Sequence, residues 1–72
     1  MREKTLEHYL RLRYTVEIER TGDGYFARIV ELPGCMTWAE TPEEIEPRIK
    51  DAMICWIEGS LEAGLPIPEP GQ

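Results

Sequence analysis

The cysteines are the residues of this chain whose type and setting most directly suggest chemistry. Cys35 lies in the stretch ELPGCMTW, directly after a Pro-Gly pair and three residues before Trp38. A cysteine acts as a nucleophile when a nearby base or a helix N-terminus lowers the pKa of its thiol. The only histidine, His8, is remote in sequence, and free cysteine commonly packs as a small apolar residue. We therefore predict that Cys35 and Cys55 are thiols that pack and do not react.

Metal ligands are not suggested by the spacing of these residues. Cys35 and Cys55 are twenty positions apart and form no zinc-binding pattern with His8. A disulfide between the two cysteines stays open on sequence grounds, although cytosolic thiols are usually reduced. We expect no metal and no cofactor.

Length and charge narrow the class of protein. The chain has 72 residues, which suffice for one small domain with a thin core. The sequence shows neither an apolar run long enough to span a bilayer nor a secretion signal, so we predict a cytoplasmic protein. Of the net charge of −6, residues 1–39 contribute nothing, with six acids and six bases, whereas residues 40–72 hold eight acids and two bases. A basic partner would be attracted to the C-terminal half, and nucleic acid would be repelled.

The first half of the chain predicts a short helix, over residues 4–11 and capped by Thr5, followed by a three-stranded sheet over residues 14–39. Turn residues at 21–24 and 32–34 separate the strands, since Gly, Asp and Pro favour tight turns. Apolar residues then meet on one face and opposite charges on the other. The predicted pairs are Val16 with Ile29, Ile18 with Ala27, and Glu17 with Arg28.

The second half predicts a long helix over residues 41–63. Thr41 is its N-cap and Glu44 completes a capping box, while Gly64 is the natural C-terminal stop. Pro47 removes a backbone donor, which predicts a kink or a loosened first turn. The prolines of the following tail, residues 65–72, require an extended chain.

The long helix is predicted to be apolar on two sides and acidic on a third. The stripe toward the sheet comprises Ile45, Ile49, Ala52, Met53, Trp56 and Ala63. A second apolar group on the far side, which the N-terminal helix could cover, comprises Ile54, Ile57 and Leu61. Between them runs the acidic column, which we define as Glu44, Asp51, Glu58 and Glu62. The acidic column is either an ordinary solvated face or the surface that binds a basic partner.

Strand parity places Phe26 and Val30 on the outer face of the sheet, away from the long helix. The short N-terminal helix can cover this pair or the second apolar group, but not both. We therefore predict a homodimer, or a higher homo-oligomer, with the outer face or an edge strand at the contact. The candidate interface residues are Phe26, Val30, Ile54, Ile57 and Leu61.

The order of elements and several motifs resemble the HicB-like antitoxin family over roughly residues 14–70. The matching residues are Tyr25, Ala27, Leu32-Pro33-Gly34-Cys35, Thr41 with Glu43 and Glu44, Trp56 with Glu58, and Pro66-Ile67-Pro68-Glu69-Pro70. The resemblance implies a partial RNase H-like α+β fold of order β-β-β-α, in some members with a fourth strand. It also implies an antitoxin that binds a small basic RNA-cleaving toxin of the HicA type and covers its active site.

Three functions follow as alternatives. The first is an inhibitor of a toxin protein. Many members of the family carry a C-terminal DNA-binding domain, whereas this sequence ends at Gln72, so we expect a single domain over residues 1–72 and no DNA binding. The second alternative is a stand-alone oligomeric module with a regulatory or ligand-binding role. The third is an RNase H-type nuclease, which needs a cluster of carboxylates to hold two metal ions. Its only strand candidates are Glu17, Glu19 and Asp23, and Glu17 is better explained by Arg28, so we expect no enzyme.

Overall fold

The helices and strands occur in the order that the sequence predicts. The computed structural model describes residues 5–71, so the predicted helix start at position 4 and the end of the tail at position 72 lie outside the described residues. The elements are α1 (Leu6–Leu10), β1 (Val16–Arg20), β2 (Tyr25–Ile29), β3 (Met36–Ala39) and α2 (Pro42–Ala63). Thr5 is the N-cap of α1, but its side chain makes no capping hydrogen bond.

The three strands form an antiparallel sheet in the order β1-β2-β3. The predicted register is confirmed, with Val16 opposite Ile29, Glu17 opposite Arg28 and Ile18 opposite Ala27. Each pairing follows from alternation within a few residues of a tight turn, which is why the sequence alone predicts it.

The two turns of the sheet differ in whether a glycine adopts a positive φ. Between β2 and β3, Gly34 has φ of 84° and the Cys35 amide donates to the Leu32 carbonyl at 3.0 Å, as in a type II turn. Between β1 and β2, the Thr21 amide donates to the Gly24 carbonyl at 2.7 Å. The predicted turn at residues 21–24 is present, but neither Gly22 nor Gly24 has a positive φ, so this turn does not require glycine for a left-handed conformation.

Thr41 and Gly64 cap the two ends of α2 as predicted, but among residues 5–71 the Glu44 carboxylate makes no bond to the Thr41 amide, so the capping box is only half formed. The Glu44 amide donates to the Thr41 hydroxyl at 3.3 Å. Gly64 adopts the left-handed conformation with φ of 70°, and the Leu65 amide donates to the Ser60 carbonyl at 2.9 Å. The helix runs unbroken through Pro47.

The core lies between α2 and two of the three strands. α2 packs on β2 and β3 and makes no contact with β1. A helix is about 10 Å wide and strands are about 4.8 Å apart, so one helix covers about two strands. The fully buried apolar residues of this layer include Ala27, Leu32, Ala39 and Ile45.

The burial of α2 departs from the prediction at Ala63 and agrees with one of the two predicted alternatives at Ile57. Ile57, placed by the sequence on the far side of the helix, is 0% exposed, whereas Ala63, placed against the sheet, is exposed. A helix of 22 residues is about 33 Å long and five-residue strands about 17 Å, so the C-terminal half of α2 extends past the sheet. There α1 packs against α2 and buries Tyr9. The alternative interpretation, cover by the N-terminal helix, therefore holds for Ile57.

The β2–β3 turn and the tail are both tied to the rest of the fold by side chains. The indole Nε1–H of Trp56 donates to the Pro33 carbonyl at 2.8 Å and so holds the β2–β3 turn against α2.

The tail is held by two contacts. The Tyr14 hydroxyl donates to the Pro68 carbonyl at 2.7 Å, and Nε2 of His8 lies 3.1 Å from a carboxylate oxygen of Glu69. Burial, followed by the nearby carboxylate of Glu69, raises the pKa of Tyr14 to about 12. Up to Gly71 the tail forms neither helix nor strand.

Candidate functional site

The acidic column lies on the surface of α2. All four of its residues are exposed, and within residues 5–71 none of them forms an ion pair. At 100° per residue the column is opposite the buried residues Ile45, Ile49 and Ser60. Asp51 lies on the flank of α2 near Thr37 of β3, and Glu58 and Glu62 lie near Leu6 of α1. Of the residues that the structure describes, Arg48 is the one base near them, lining the same hollow as Asp51, so the face keeps a negative potential, which favours approach of positive charge.

The outer face of the sheet carries a second candidate surface, which we call the outer patch and define as Phe26, Val30, Met36 and Trp38. Met36 and Trp38 lie opposite Arg28 and Phe26 in the β2–β3 register. Val30, Met36 and Trp38 are exposed, whereas Phe26 is half-buried. Arg28 lies between Phe26 and Val30 on the same face and opposite Met36, and its guanidinium contacts the Glu17 carboxylate at 2.7 Å. The outer patch is therefore an apolar surface interrupted by one ion pair.

The five predicted interface residues do not form one surface. Phe26 and Val30 belong to the outer patch, while Ile54 and Leu61 are half-buried on α2, on the other side of the sheet. Ile57 is in the core and is not available for contact with a partner. The sequence reasoning did not include Met36 and Trp38 in the interface. The parity that separates Trp38 from Cys35 was the signal that could have found them.

A third surface lies where α2 fails to cover β1. Val16 and Ile18 face the helix side of the sheet, yet they are 44% and 50% exposed. Between this strand and α2 runs a groove of about 650 Å³, whose apolar lining includes Val16, Ile29, Ile49 and Met53. We call this space the β1 groove. The sequence pattern could not reveal it, because alternation shows which face a side chain takes but not whether a helix lies above it.

The two cysteines differ in exposure. Cys35 is 2% exposed and burial raises the pKa of its thiol, so the prediction of a packed thiol is confirmed there. Cys55 is exposed, and the same prediction is wrong for it; neither cysteine is in a disulfide. Cys55 lies beside Asp51 on a flank of α2, near Thr37 of β3. The stretch that contains Cys35 is thus a turn leading into a strand, with no lowered thiol pKa.

Carboxylate clusters of the kind a nuclease needs are not found in the described part of the chain. Glu17 is paired with Arg28, and among residues 5–71 no group of three or more His, Cys, Asp or Glu side chains could hold a metal ion. The described helices also include none that is both long enough and apolar enough to cross a membrane.

A three-stranded antiparallel sheet with one long helix packed on one face defines a small α+β domain. Residues 14–72 match the family model for the HicB_like antitoxin of bacterial toxin-antitoxin systems. The chain belongs to this family, whose members are generally non-catalytic.

Similar proteins occur in archaea and in a phage. A UPF0150 protein of Thermoplasma acidophilum is 36% identical over 58 residues, which are 79% of this chain and 84% of that protein. A UPF0150 protein of Archaeoglobus fulgidus is 33% identical over 48 residues, 65% of this chain and 70% of that protein. A 14.9 kDa protein of the rep-hol intergenic region of Haemophilus phage HP1 is 34% identical over 56 residues, 78% of this chain. The match spans 42% of the length of the phage protein.

Proposed function

We propose that this chain is an antitoxin that binds and inhibits a small, basic, RNA-cleaving toxin of the HicA type in the cytoplasm. The observation that carries the proposal is the family match over residues 14–72. The exposed acidic column supports it, because a protein that binds RNA presents a basic surface, and the two surfaces attract each other. Inhibition by cover of the toxin's active site needs no catalytic group on this chain.

The acidic column acts in this proposal mainly before contact is made. Charges on an exposed surface change the association rate and the salt dependence of binding more than the dissociation rate. Contacts that hold the complex together must then come from apolar or backbone groups elsewhere on the molecule.

The test measures binding kinetics between this chain and the small basic protein of the neighbouring reading frame, at several salt concentrations. Reversing Asp51→Lys and Glu58→Lys in the middle of the acidic column should lower the association rate about tenfold at low salt, with the dissociation rate nearly unchanged. The matched control, Glu7→Lys with Asp23→Lys, makes the same change of net charge at exposed positions away from the column.

Three results would contradict this assignment of the column. Equal loss in both double variants would show that only net charge matters, and rates independent of salt would leave the column as a solvated face. A neighbouring frame that encodes no small basic protein would favour the stand-alone module instead.

A second proposal concerns self-association. We propose that the chain forms a homodimer through the outer patch, since Val30, Met36 and Trp38 are exposed on the same face. A small domain gains stability by burying such a face against its own copy across a two-fold axis. This assembly is compatible with the antitoxin and is required by the alternative, the stand-alone oligomeric module.

A further inference from the structure

The free edge of β1 presents backbone groups that have no partner in the described part of the chain. The Val30 amide donates to the Thr15 carbonyl at 2.9 Å. Because hydrogen-bonded and non-hydrogen-bonded pairs alternate along an antiparallel ladder, Glu17 and Glu19 also bond to β2. The backbone N–H and C=O groups of Val16, Ile18 and Arg20 therefore point away from the sheet. No described residue outside the sheet bonds to these groups.

The opposite edge of the sheet differs. The Ile29 amide donates to the Cys35 carbonyl at 2.9 Å. Because hydrogen-bonded and non-hydrogen-bonded pairs alternate from there along β3, the backbone N–H and C=O groups of Met36 and Trp38 point away from the sheet. There the guanidinium of Arg48 donates to the Trp38 carbonyl at 3.3 Å, and α2 packs against the strand. β1 has neither protection, so it is the edge at which a strand can be added.

The β1 groove adjoins this free edge. A strand placed beside β1 would direct every second side chain toward the helix side, over the exposed Val16 and Ile18 and into the groove. The groove of about 650 Å³ is lined by apolar residues, which include Val16, Ile29 and Met53, and by the charged Arg13, Glu46 and Lys50, so the apolar side chains of the strand would pack on the first group. Backbone pairing and apolar burial would thus be gained together, which is how strand addition combines affinity with specificity.

The charges beside the edge select the partner. On the outer face, the side chains of an added strand would lie next to Glu19, which is exposed, and next to Glu17, whose carboxylate also contacts Arg28. Opposite charges across strands are stabilising while like charges are not. A second copy of this chain is disfavoured, because antiparallel pairing of all of Val16–Arg20 with its own copy sets Glu17 against Glu19. The favoured strand alternates basic and apolar residues.

We propose that the free edge of β1 binds an extended strand of the basic partner, with its apolar side chains in the β1 groove and its basic side chains beside Glu17 and Glu19. This inference rests on the proposed antitoxin function and names the contact that holds the toxin after electrostatic attraction. The sheet would then have four strands, with the outermost contributed by the partner.

The test follows the backbone amide signals of the isotope-labelled chain in an NMR titration with synthetic peptides. A peptide of alternating lysine and valine should shift the amides of Val16, Ile18 and Arg20 and protect them from hydrogen exchange. A peptide of alternating glutamate and valine should bind about tenfold more weakly.

Two variants separate the backbone contribution from that of the side chain. Ile18→Pro removes an outward N–H without breaking a bond to β2, since proline is tolerated on an edge strand in that orientation, and it should abolish binding of the lysine–valine peptide. Ile18→Ala keeps the N–H and should weaken binding only partly. Should Ile18→Pro not fold, the two peptides with the unaltered chain still decide the question.

Several outcomes would overturn the proposal. The first is that the amides of Val16, Ile18 and Arg20 do not shift, and the second is that the two peptides bind equally well. The third is that these amides become protected in the free chain as its concentration rises, which would identify a second copy as the occupant. If the toxin binds Ile18→Pro as well as the unaltered chain, strand addition is wrong while the antitoxin function stands. If no basic neighbour binds but the lysine–valine peptide does, the antitoxin function fails and the edge site stands.

Discussion

At the scale of single residues, Gly24 is the position where the fold leaves no room for a side chain. A Cβ atom built there would lie 2.5 Å from the carbonyl oxygen of Ala39 and 2.8 Å from Cζ2 of Trp38. The neighbouring Gly22 has nothing within 4 Å of such an atom. Glycine is therefore needed at Gly24 because the backbone of β3 and the indole of Trp38 approach it closely.

We predict that Gly24→Ala destabilises the chain by about 1–3 kcal/mol, because the contact with the Ala39 backbone forces the hairpin to shift. Gly22→Ala is the control and should change the free energy of unfolding by less than about 1 kcal/mol. Urea denaturation of both variants measures the difference. Equal effects would mean that the turn conformation, and not the close approach, determines the cost.

At the scale of secondary structure elements, α2 is longer than the sheet it packs on, and α1 covers what remains. In this half of α2, Ile57 is fully buried in the core, whereas Ile54, three residues earlier, is half-buried. The C-terminal half of α2 therefore packs on α1 as well as on the sheet region, to which Trp56 is hydrogen-bonded at Pro33.

We predict that Ile57→Ala lowers the free energy of unfolding by about 2–5 kcal/mol, as for a large-to-small change in a core. Ile54→Ala makes the same chemical change at a half-buried site and should cost less than half as much. Thermal and urea unfolding of the two variants provide the comparison. Similar losses in the two variants would contradict the difference in burial between the two isoleucines.

Elements, caps and register could be predicted because each is determined by a few neighbouring residues. Thr41 and Gly64 delimit α2 through bonds within one turn, and the alternation from Val16 sets the pairing with β2. The burial of Ile57 and the exposure of Ile18 could not be predicted in this way. Both depend on how wide and how long a helix is relative to the sheet beneath it, and on where α1 docks.

The same limit applies to the candidate surfaces. The exposure of the acidic column was predictable, because a charged helix face is solvated wherever the helix packs. The β1 groove required knowledge of which two strands α2 covers, and the outer patch required Met36 and Trp38 to be placed beside Phe26 by the second hairpin. Surfaces formed by several elements are therefore the part of the site that the sequence does not specify locally.

At the scale of the whole molecule, three surfaces face different directions. The acidic column lies on the surface of α2, the outer patch lies on the opposite face of the sheet, and the free edge of β1 lies between them. A dimer through the outer patch leaves the other two surfaces accessible, so one assembly could bind a partner at each copy.

We predict that the chain is a homodimer at micromolar concentration and that Met36→Glu dissociates it without unfolding the domain, because a charge is then buried in an apolar contact. Phe26→Glu should act in the same direction. Leu65→Glu is the control: Leu65 is 59% exposed and Met36 49%, but Leu65 lies in the tail. Sedimentation equilibrium decides the matter, and a single species of 8.3 kDa for the unaltered chain would contradict the prediction.

The hydrogen bond from the Trp56 indole to the Pro33 carbonyl has a spectroscopic consequence. Trp56 is half-buried and bound at the β2–β3 turn, while Trp38 is exposed on the outer patch. The chain has two tryptophans, so Trp38→Phe leaves one fluorophore that senses the docking of the turn on the helix. Trp56→Phe leaves Trp38 as the fluorophore, and the emission of Trp38 responds to the solvent at the outer face. Intrinsic fluorescence can thus follow folding and self-association as separate events in the same small protein, without an added label.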